Sequence, residues 1–340
     1  MNTAIFAYTR RGCDTALRVE RQLTGRGAVK KFTAARLAQP GFSPIPPGGR
    51  DFYGSQFAWA DALIFVGSCG IAVREIAPHV RDKRTDPAVI AVDERGTFVI
   101  PLLSGHMGGA NALARELARG LDATPVVTTA TDLNGRFSVD TWAVERGLAL
   151  DSMEMAKAIS AAILEGDVPL CTDFLVEGPL PAGLVAGTGG QLGIYVGYET
   201  KAPFQRTLRI IPPVLHLAIG CRKGVCAGVI RRAVAHTLEQ ARIDPRAVRC
   251  VASIDRKAEE PGLKEFVREN RWPLRCYPAE RLMAVAGDFT PSPFVASVTG
   301  ADNVCERAAM VGAARLIVKK TVYDGVTVAV AAENWEVSFG

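Results

Sequence analysis

Histidine is scarce in this 340-residue sequence: there are four, at positions 79, 106, 216 and 236. None lies in an H-E-x-x-H pattern or beside a cysteine at zinc spacing, which argues against a catalytic metal held by the protein. The eight cysteines contain no C-x-x-C pair; the nearest two, Cys221 and Cys226, have four residues between them. Thiols scattered in this way read as reduced cysteines of a cytoplasmic protein, not as a disulfide framework. No apolar run reaches the ~18 residues of a membrane span, and the opening MNTAIFAYTRRG lacks a signal-peptide core. The expectation is a soluble chain. G-x-x-x-x-G-K-[ST] is missing, so there is no P-loop, and GHMGG lacks the spacing of G-x-G-x-x-G. One-sided charge is missing too. The 40 Lys and Arg against 35 Asp and Glu leave a net charge of +5. That is not the clustered excess of a nucleic-acid binder, and it suits an acidic small-molecule substrate.

What is present is an ordinary globular composition, 48% hydrophobic and 22% charged, long enough for about two to three domains at ~100–200 residues each. Apolar runs at Thr3–Tyr8, ALIFVG (62–67) and VLHLAIG (214–220) are of the buried-strand type. Helical patterns follow them, as in IAVREIAPHV, NALARELARGL and GVIRRAVAHTLEQAR. The alternation predicts α/β layers in both halves. VIAVDERGTFVIPLL reads as a hairpin turning at Asp93–Gly96, and DSMEMAKAISAAILEGD as an amphipathic helix. QPGFSPIPPGGR (39–50) reads as a surface loop, PVVTTA as a strand and NVCERAAMVGAARLI (303–317) as one helix. Glycine and proline rise between about 172 and 213, ending in Pro212–Pro213, which places the main boundary there. The expected organisation is an N-terminal α/β domain over 1–145, a Gly/Pro-rich middle region and linker over 146–213, and a C-terminal α/β domain over 214–340.

The chemistry-bearing residues recur where a strand delivers a glycine-containing loop to a helix. The three junctions are VGSCGIAVR (66–74), LLSGHMGGAN (102–111) and AIGCRKGV (218–225). Free backbone N–H groups at such helix starts favour anions, and the carboxyl edge of an open α/β sheet is where ligands bind. The glycines serve equally well for tight turns and close packing. His106 lies inside the second junction, where a helix start favours the neutral imidazole that a general base requires. The other histidines read as structural: His79 at a helix end, His216 in a strand core, His236 mid-helix. Asp132, in TTATDLNGRFSVD (128–140), either caps a turn or orients a histidine. In the basic run RDKRTDP (81–87), Arg81, Lys83 and Arg84 are either solvated or carboxylate-binding. Arg222 and Lys223 have the better claim to an acidic substrate. VTGADNVCERAA (298–309) is a fourth strand–loop–helix, with Asp302 or Asn303 as cap and Glu306 in the first turn.

The run from VGSCGIAVREIAPHV through LLSGHMGGANALARELA to PVVTTATDLNGRFSVD resembles the N-terminal part of the CbiG family of cobalamin biosynthesis. AIGCRKG, ASIDRKAEEPGLKEF and SVTGADNVCERAAM resemble the C-terminal domain of that family, which is related to CobE. The resemblance covers nearly the whole chain and is weakest at 1–50 and 150–213. It implies a three-layer α/β/α C-terminal domain and the activity of a cobalt-precorrin-5A hydrolase. That reaction opens the δ-lactone of a ring-contracted cobalt tetrapyrrole and expels acetaldehyde to give cobalt-precorrin-5B. Cobalt then arrives inside the substrate, and no cofactor or metal site is implied. Implied partners are the cobalt tetrapyrrole and neighbouring corrin-pathway enzymes, met transiently, with no nucleic acid and no membrane; a homodimer is left open. On this reading His106 and Asp132 are the candidate catalytic pair. The acidic arms of the macrocycle would meet Gly67, Gly70, Arg74, Lys83, Ser104, Gly105, Gly108, Gly109, Asn111 and Thr129 in the first half. In the second half they would meet Gly220, Arg222, Lys223, Thr299 and Gly300. A non-catalytic tetrapyrrole chaperone would use the same residues, and only turnover separates the two.

Overall fold

The computed structural model describes residues 1–48, 50–82, 85–105, 108–292, 297 and 299–339, with the side chain of residue 50 left aside. The chain divides into two compact units, Met1–Thr141 and Trp142–Gly340.

The first unit is built on a seven-stranded sheet, β1 (Thr3–Ala7), β2 (Val29–Ala34), β3 (Ser43–Ile45), β4 (Ala62–Val66), β5 (Ala88–Val92), β6 (Phe98–Leu103) and β7 (Thr124–Pro125). The order is β3-β2-β1-β4-β5-β6-β7. The first five strands are parallel, and β6 turns back antiparallel to β5. Its helices are α1 (Arg10–Gln22), α2 (Arg50–Trp59), α3 (Cys69–Ile76), α4 (Ala110–Leu121) and α5 (Ala130–Leu133); α6 (Val139–Glu145) spans the unit boundary. The central strands TAIFA, ALIFV and AVIAV are buried at every position, as expected of parallel strands covered on both faces. Alternation sorts the side chains. Ile5, Ala7, Ile64, Val66, Ile90 and Val92 meet the apolar stripes of α1 and α4. Phe6, Leu63, Phe65 and Val89 meet Tyr53 and Phe57 of α2 and Ala72 and Ile76 of α3. Thr9 starts α1, its hydroxyl accepting the Gly12 N–H at 2.9 Å. The β5–β6 turn is fixed by Asp93, whose Oδ1 accepts the N–H groups of Thr97 and Phe98, both at 2.6 Å.

The second unit holds two five-stranded sheets. One comprises β8 (Ala149–Leu150), β9 (Val168–Thr172), β11 (Leu184–Ala186), β12 (Leu192–Val196) and β13 (Arg206–Ile211) in the order β11-β9-β12-β13-β8, with α7 (Met153–Glu165). The other comprises β14 (Leu215–Cys221), β15 (Val248–Ile254), β16 (Leu274–Tyr277), β17 (Arg315–Tyr323) and β18 (Val326–Ala332) in the order β16-β15-β14-β18-β17. β10 (Leu175–Glu177) pairs with β19 (Glu336–Ser338). The helices of the second sheet are α8 (Ala227–Gln240), α9 (Pro261–Asn270), α10 (Ala279–Met283) and α11 (Cys305–Met310). Leu215, Leu217, Ile219, Val328 and Val330 face α8 and α9. The other face is nearly all alanine: Ala218, Ala252, Ala329 and Ala331, against Ala308 and Ala309 of α11. Small residues on both surfaces let α11 lie close on the sheet. The result is the α/β/α sandwich expected of this region.

Four sequence expectations change. The 39–50 stretch is not all loop, because Ser43–Ile45 pairs with β2 as an edge strand. PVVTTA is strand only at Thr124–Pro125. The helix expected over 303–317 ends at Met310. The β-branched RLIVKKTVY that follows is the edge strand β17, because its partner β18 overrides local preference. The Gly/Pro-rich 172–213 stretch, read as middle region and linker, carries the strands β10 to β13 between its turns.

Candidate functional site

The three glycine junctions do not share one kind of sheet edge. β4 carries the first junction to the carboxyl edge of the first sheet, where Gly67 N–H donates to the Val92 carbonyl at 2.8 Å. β6 runs the other way, pairing Val99 with Val92 and Leu103 with Val89. The second junction therefore leaves from the amino edge, about 15 Å away along a five-residue strand at ~3.3 Å per residue. Gly67 and Gly70 are thus not joined with Ser104–Asn111. The antiparallel return separates them, and the sequence pattern of strand, glycine and helix is blind to strand direction. Gly70 lies in the first turn of α3, and Arg74 is exposed in its last turn.

At the amino edge the predicted residues do converge. Ser104 takes a left-handed φ of +56°. Its hydroxyl donates to the Asp86 carbonyl at 2.9 Å, and its carbonyl accepts the Ala110 N–H at 3.1 Å. The Gly105 carbonyl accepts the Asn111 N–H at 2.9 Å. Gly108 is held to glycine by proximity: a Cβ there would stand 2.3 Å from Ser104 Cβ and 2.9 Å from Ser104 O. Gly109 caps α4 at φ +76°. Asn111, 4% exposed, directs both amide protons inward, to Thr129 Oγ1 and Asp132 Oδ2, each at 2.9 Å. The other oxygen of Asp132 takes the guanidinium of Arg115, one turn further along α4. The Asp86 carboxylate accepts the N–H groups of Arg81 and Asp82 at 2.9 and 3.1 Å, folding the start of the basic loop beside Ser104. His106, Lys83 and Arg84 lie outside the described residues.

In the second unit, the third junction leaves the carboxyl end of β14. Gly220 lies against β18, where a Cβ would meet Thr327 Oγ1 at 2.4 Å. Arg222 and Lys223 are exposed. Burial pushes the Cys221 thiol up, which disfavours an activated thiolate there. Beyond β15 and β16 on the same edge, Thr299 and Gly300 line a cavity of about 440 Å³ with Asp255, Arg256, Ala279, Glu280 and Met283. The capping expectation is met by Asn303, whose Oδ1 accepts the Glu306 N–H at 2.8 Å. Glu306 is fully buried and bonded to Thr290, Asn303 and the Lys320 N–H. His216 is indeed core, its Nε2 2.8 Å from Glu333 Oε1.

Sequence reasoning missed three residues. Arg115 stands four positions beyond Asn111, a helical spacing that was the available signal. Asp86 accepts backbone N–H groups four and five residues before it in its own loop, and Glu260 accepts the N–H of Gly224, 36 positions away, which no local pattern announces.

A seven-stranded α/β unit followed by a unit that ends in an α/β/α sandwich, each with a glycine junction feeding a helix, defines a two-part α/β protein with glycine loops at sheet edges. The chain belongs to the cobalamin synthesis G family. The model of that family's N-terminal region matches residues 51–132, and that of its C-terminus residues 215–331. A cobalt-precorrin-5A hydrolase of Salmonella typhimurium is 32% identical across 96% of both chains. One of Priestia megaterium is 30% identical across 96% of this chain and 94% of its own. Protein CobE of a Sinorhizobium species is 36% identical across 34% of this chain and 79% of its own.

Proposed function

We infer that the chain is a cobalt-precorrin-5A hydrolase, opening the substrate's δ-lactone with water and releasing acetaldehyde to leave cobalt-precorrin-5B. The observation that carries this reading is the match, over 96% of both chains, to a relative named for that activity. The amino-edge cluster supports it. A carboxylate oriented by an amide and a guanidinium, next to a glycine loop holding a histidine, is what a general base and its orienting partner require. His106 removes a proton from water as it adds to the lactone carbonyl, steadied by Asp132. Backbone N–H groups around Gly108 and Gly109 receive the oxyanion. The lactone C–O bond opens to an alkoxide. That oxygen forms the aldehyde carbonyl as the neighbouring C–C bond breaks, and the electron pair passes to the ring. Cobalt is a component of the substrate, and neighbouring corrin-pathway enzymes supply and remove the intermediates. The cytoplasm is the compartment this reading implies. Among the described residues no helix is long and apolar enough to cross a membrane.

The test is anaerobic incubation of the purified chain with cobalt-precorrin-5A and trapping of volatile aldehyde. Acetaldehyde released in proportion to protein is the expected result. Tight binding without protein-dependent acetaldehyde replaces the hydrolase by a carrier. A His106→Ala variant is expected to lose about a hundredfold or more in kcat; near-normal turnover would remove His106 as the base.

A further inference from the structure

The loop Cys221–Val225 is held from below by a carboxylate that no sequence motif marks. Glu260, 7% exposed, lies just before α9. Its Oε1 accepts the Gly224 N–H at 2.6 Å, and its Oε2 accepts Lys257 Nζ at 2.9 Å. Lys257 and the Gly224 N–H hold this carboxyl below its usual range, so it is charged at neutral pH. Gly224 has φ +79°, a left-handed conformation that presents its N–H to the carboxylate. Two further contacts fix the loop. Gly262 lies so close that a Cβ there would stand 2.0 Å from the Val225 carbonyl oxygen. Arg222 lies across the β17–β18 turn, where a Cβ on Gly325 would be 3.5 Å from its Nε. The loop is therefore clamped at Gly224, at Val225 and along Arg222.

The charged groups on this clamped loop lie at the surface, and the charge of Lys223 is felt at Glu260 without a direct contact. Arg222 and Lys223 are exposed, and among the described residues neither makes a hydrogen bond or an ion pair. Exposed cations ordinarily cost little to leave solvated. Placing two of them on a backbone fixed by a buried carboxylate is different, because the ordering is done before any ligand arrives. Planar guanidinium and ammonium side by side match carboxylate groups.

We propose that Glu260 is a positioning residue that holds the 221–225 loop so that Arg222 and Lys223 receive carboxylate arms of the tetrapyrrole substrate. The identity of the ligand rests on the hydrolase reading; the clamp itself does not. Removing either cation weakens capture and leaves the chemical step alone. Removing Glu260 acts through the same two cations.

The test is a double-mutant cycle with cobalt-precorrin-5A, measuring kcat and KM by acetaldehyde release and equilibrium binding by anaerobic absorbance titration. Arg222→Ala/Lys223→Ala, an exposed pair that leaves the core untouched, is expected to raise KM and Kd roughly tenfold with kcat within about twofold. Glu260→Gln in the wild-type background is expected to raise KM several-fold. Added to the Arg222→Ala/Lys223→Ala background it is expected to change KM no further, which a merely structural role would not produce. Unchanged KM and Kd in the double-alanine variant overturn the proposal, as does full additivity of Glu260→Gln. Normal turnover with unshifted KM defeats the clamp and leaves the hydrolase standing. Binding that weakens in the variants without any acetaldehyde from wild type defeats the hydrolase and leaves the clamp.

Discussion

Two loops of the same kind, one in each unit, are built to opposite ends. Both leave a strand, both lead to a helix, and both depend on a glycine whose Cβ would strike backbone or a neighbouring side chain: Gly108 against Ser104, and Gly262 against Val225. Around residues 104–109 the polar side chains are turned on one another, Asn111 to Thr129 and Asp132, Arg115 to Asp132. Around residues 221–225 the carboxylate grips backbone and a lysine, while Arg222, lying along the β17–β18 turn, and Lys223 make no hydrogen bond or ion pair among the described residues. A network that satisfies itself fixes the orientation of its members, which is useful where a proton must be moved. A clamp that leaves charges uncommitted is useful where a ligand must be gripped. In the proposed mechanism the same strand–glycine–helix grammar serves reaction in one unit and capture in the other.

The largest effect that can break this comparison is expected at Gly108. Alanine there would place its Cβ 2.3 Å from Ser104 Cβ, and Ser104 is already fixed by its bond to the Asp86 carbonyl. The loop must shift, and displacements of ~1 Å at a reacting centre cost about a hundredfold in rate. Gly108→Ala is therefore expected to lower kcat/KM by about a hundredfold. Gly166→Ala, where nothing stands within 4 Å, is expected to leave it unchanged. Steady-state acetaldehyde release measures both. Equal activities in the two variants would detach the amino-edge loop from the reaction.

Next in size is Asp132→Ala. It removes the acceptor of one buried Asn111 proton and of the Arg115 guanidinium. A buried donor left without its partner costs roughly 1–3 kcal/mol, so urea unfolding is expected to show a loss in that range. Arg222→Ala, on the outward-facing loop, is expected to change stability by less than about 0.5 kcal/mol. Similar losses for both would erase the contrast between a self-satisfied network and uncommitted charges.

Much of this architecture is legible in the residues, for identifiable reasons. ALIFV announces a buried strand of the parallel type, and the Asp93–Gly96 turn announces the hairpin. The hairpin is also what misleads. It reverses β6 and sends Ser104 and Gly105 to the amino edge, a consequence visible only once strand direction is followed through the sheet. RLIVKKTVY is strand because β18 lies beside it, and nothing within that segment dictates it. At the site, Ser104, Asn111, Thr129 and Asp132 were recognisable as polar residues near loop–helix starts. Their mutual bonds depend on α4 and α5 meeting. Glu260 sits in AEEPGLK, where a glutamate before Pro-Gly reads as a helix-start residue; its bond to Gly224, 36 positions away, is a fact of the tertiary fold.

The smallest expected effect sharpens the comparison from the side of the clamp. Lys257 and the Gly224 N–H hold the Glu260 carboxyl below its ordinary value of 4.5. A carboxylate with a depressed folded-state pKa stabilises the fold fully above its unfolded value, and that contribution is lost as pH falls through the folded value. Glu260→Gln has no such proton to take up. The stability difference between wild type and Glu260→Gln is thus expected to be constant from pH 7 down to about 5. It should then shrink as the pH is lowered below about 4. Asp244 and Asp302, also held below their usual range in this unit, contribute equally to both proteins and cancel in the difference. Paired urea titrations between pH 7 and pH 3 measure it. A difference that stays flat to pH 3 would mean that the carboxylate's charge does not hold the loop, leaving that role to the Gly262 and Arg222 contacts.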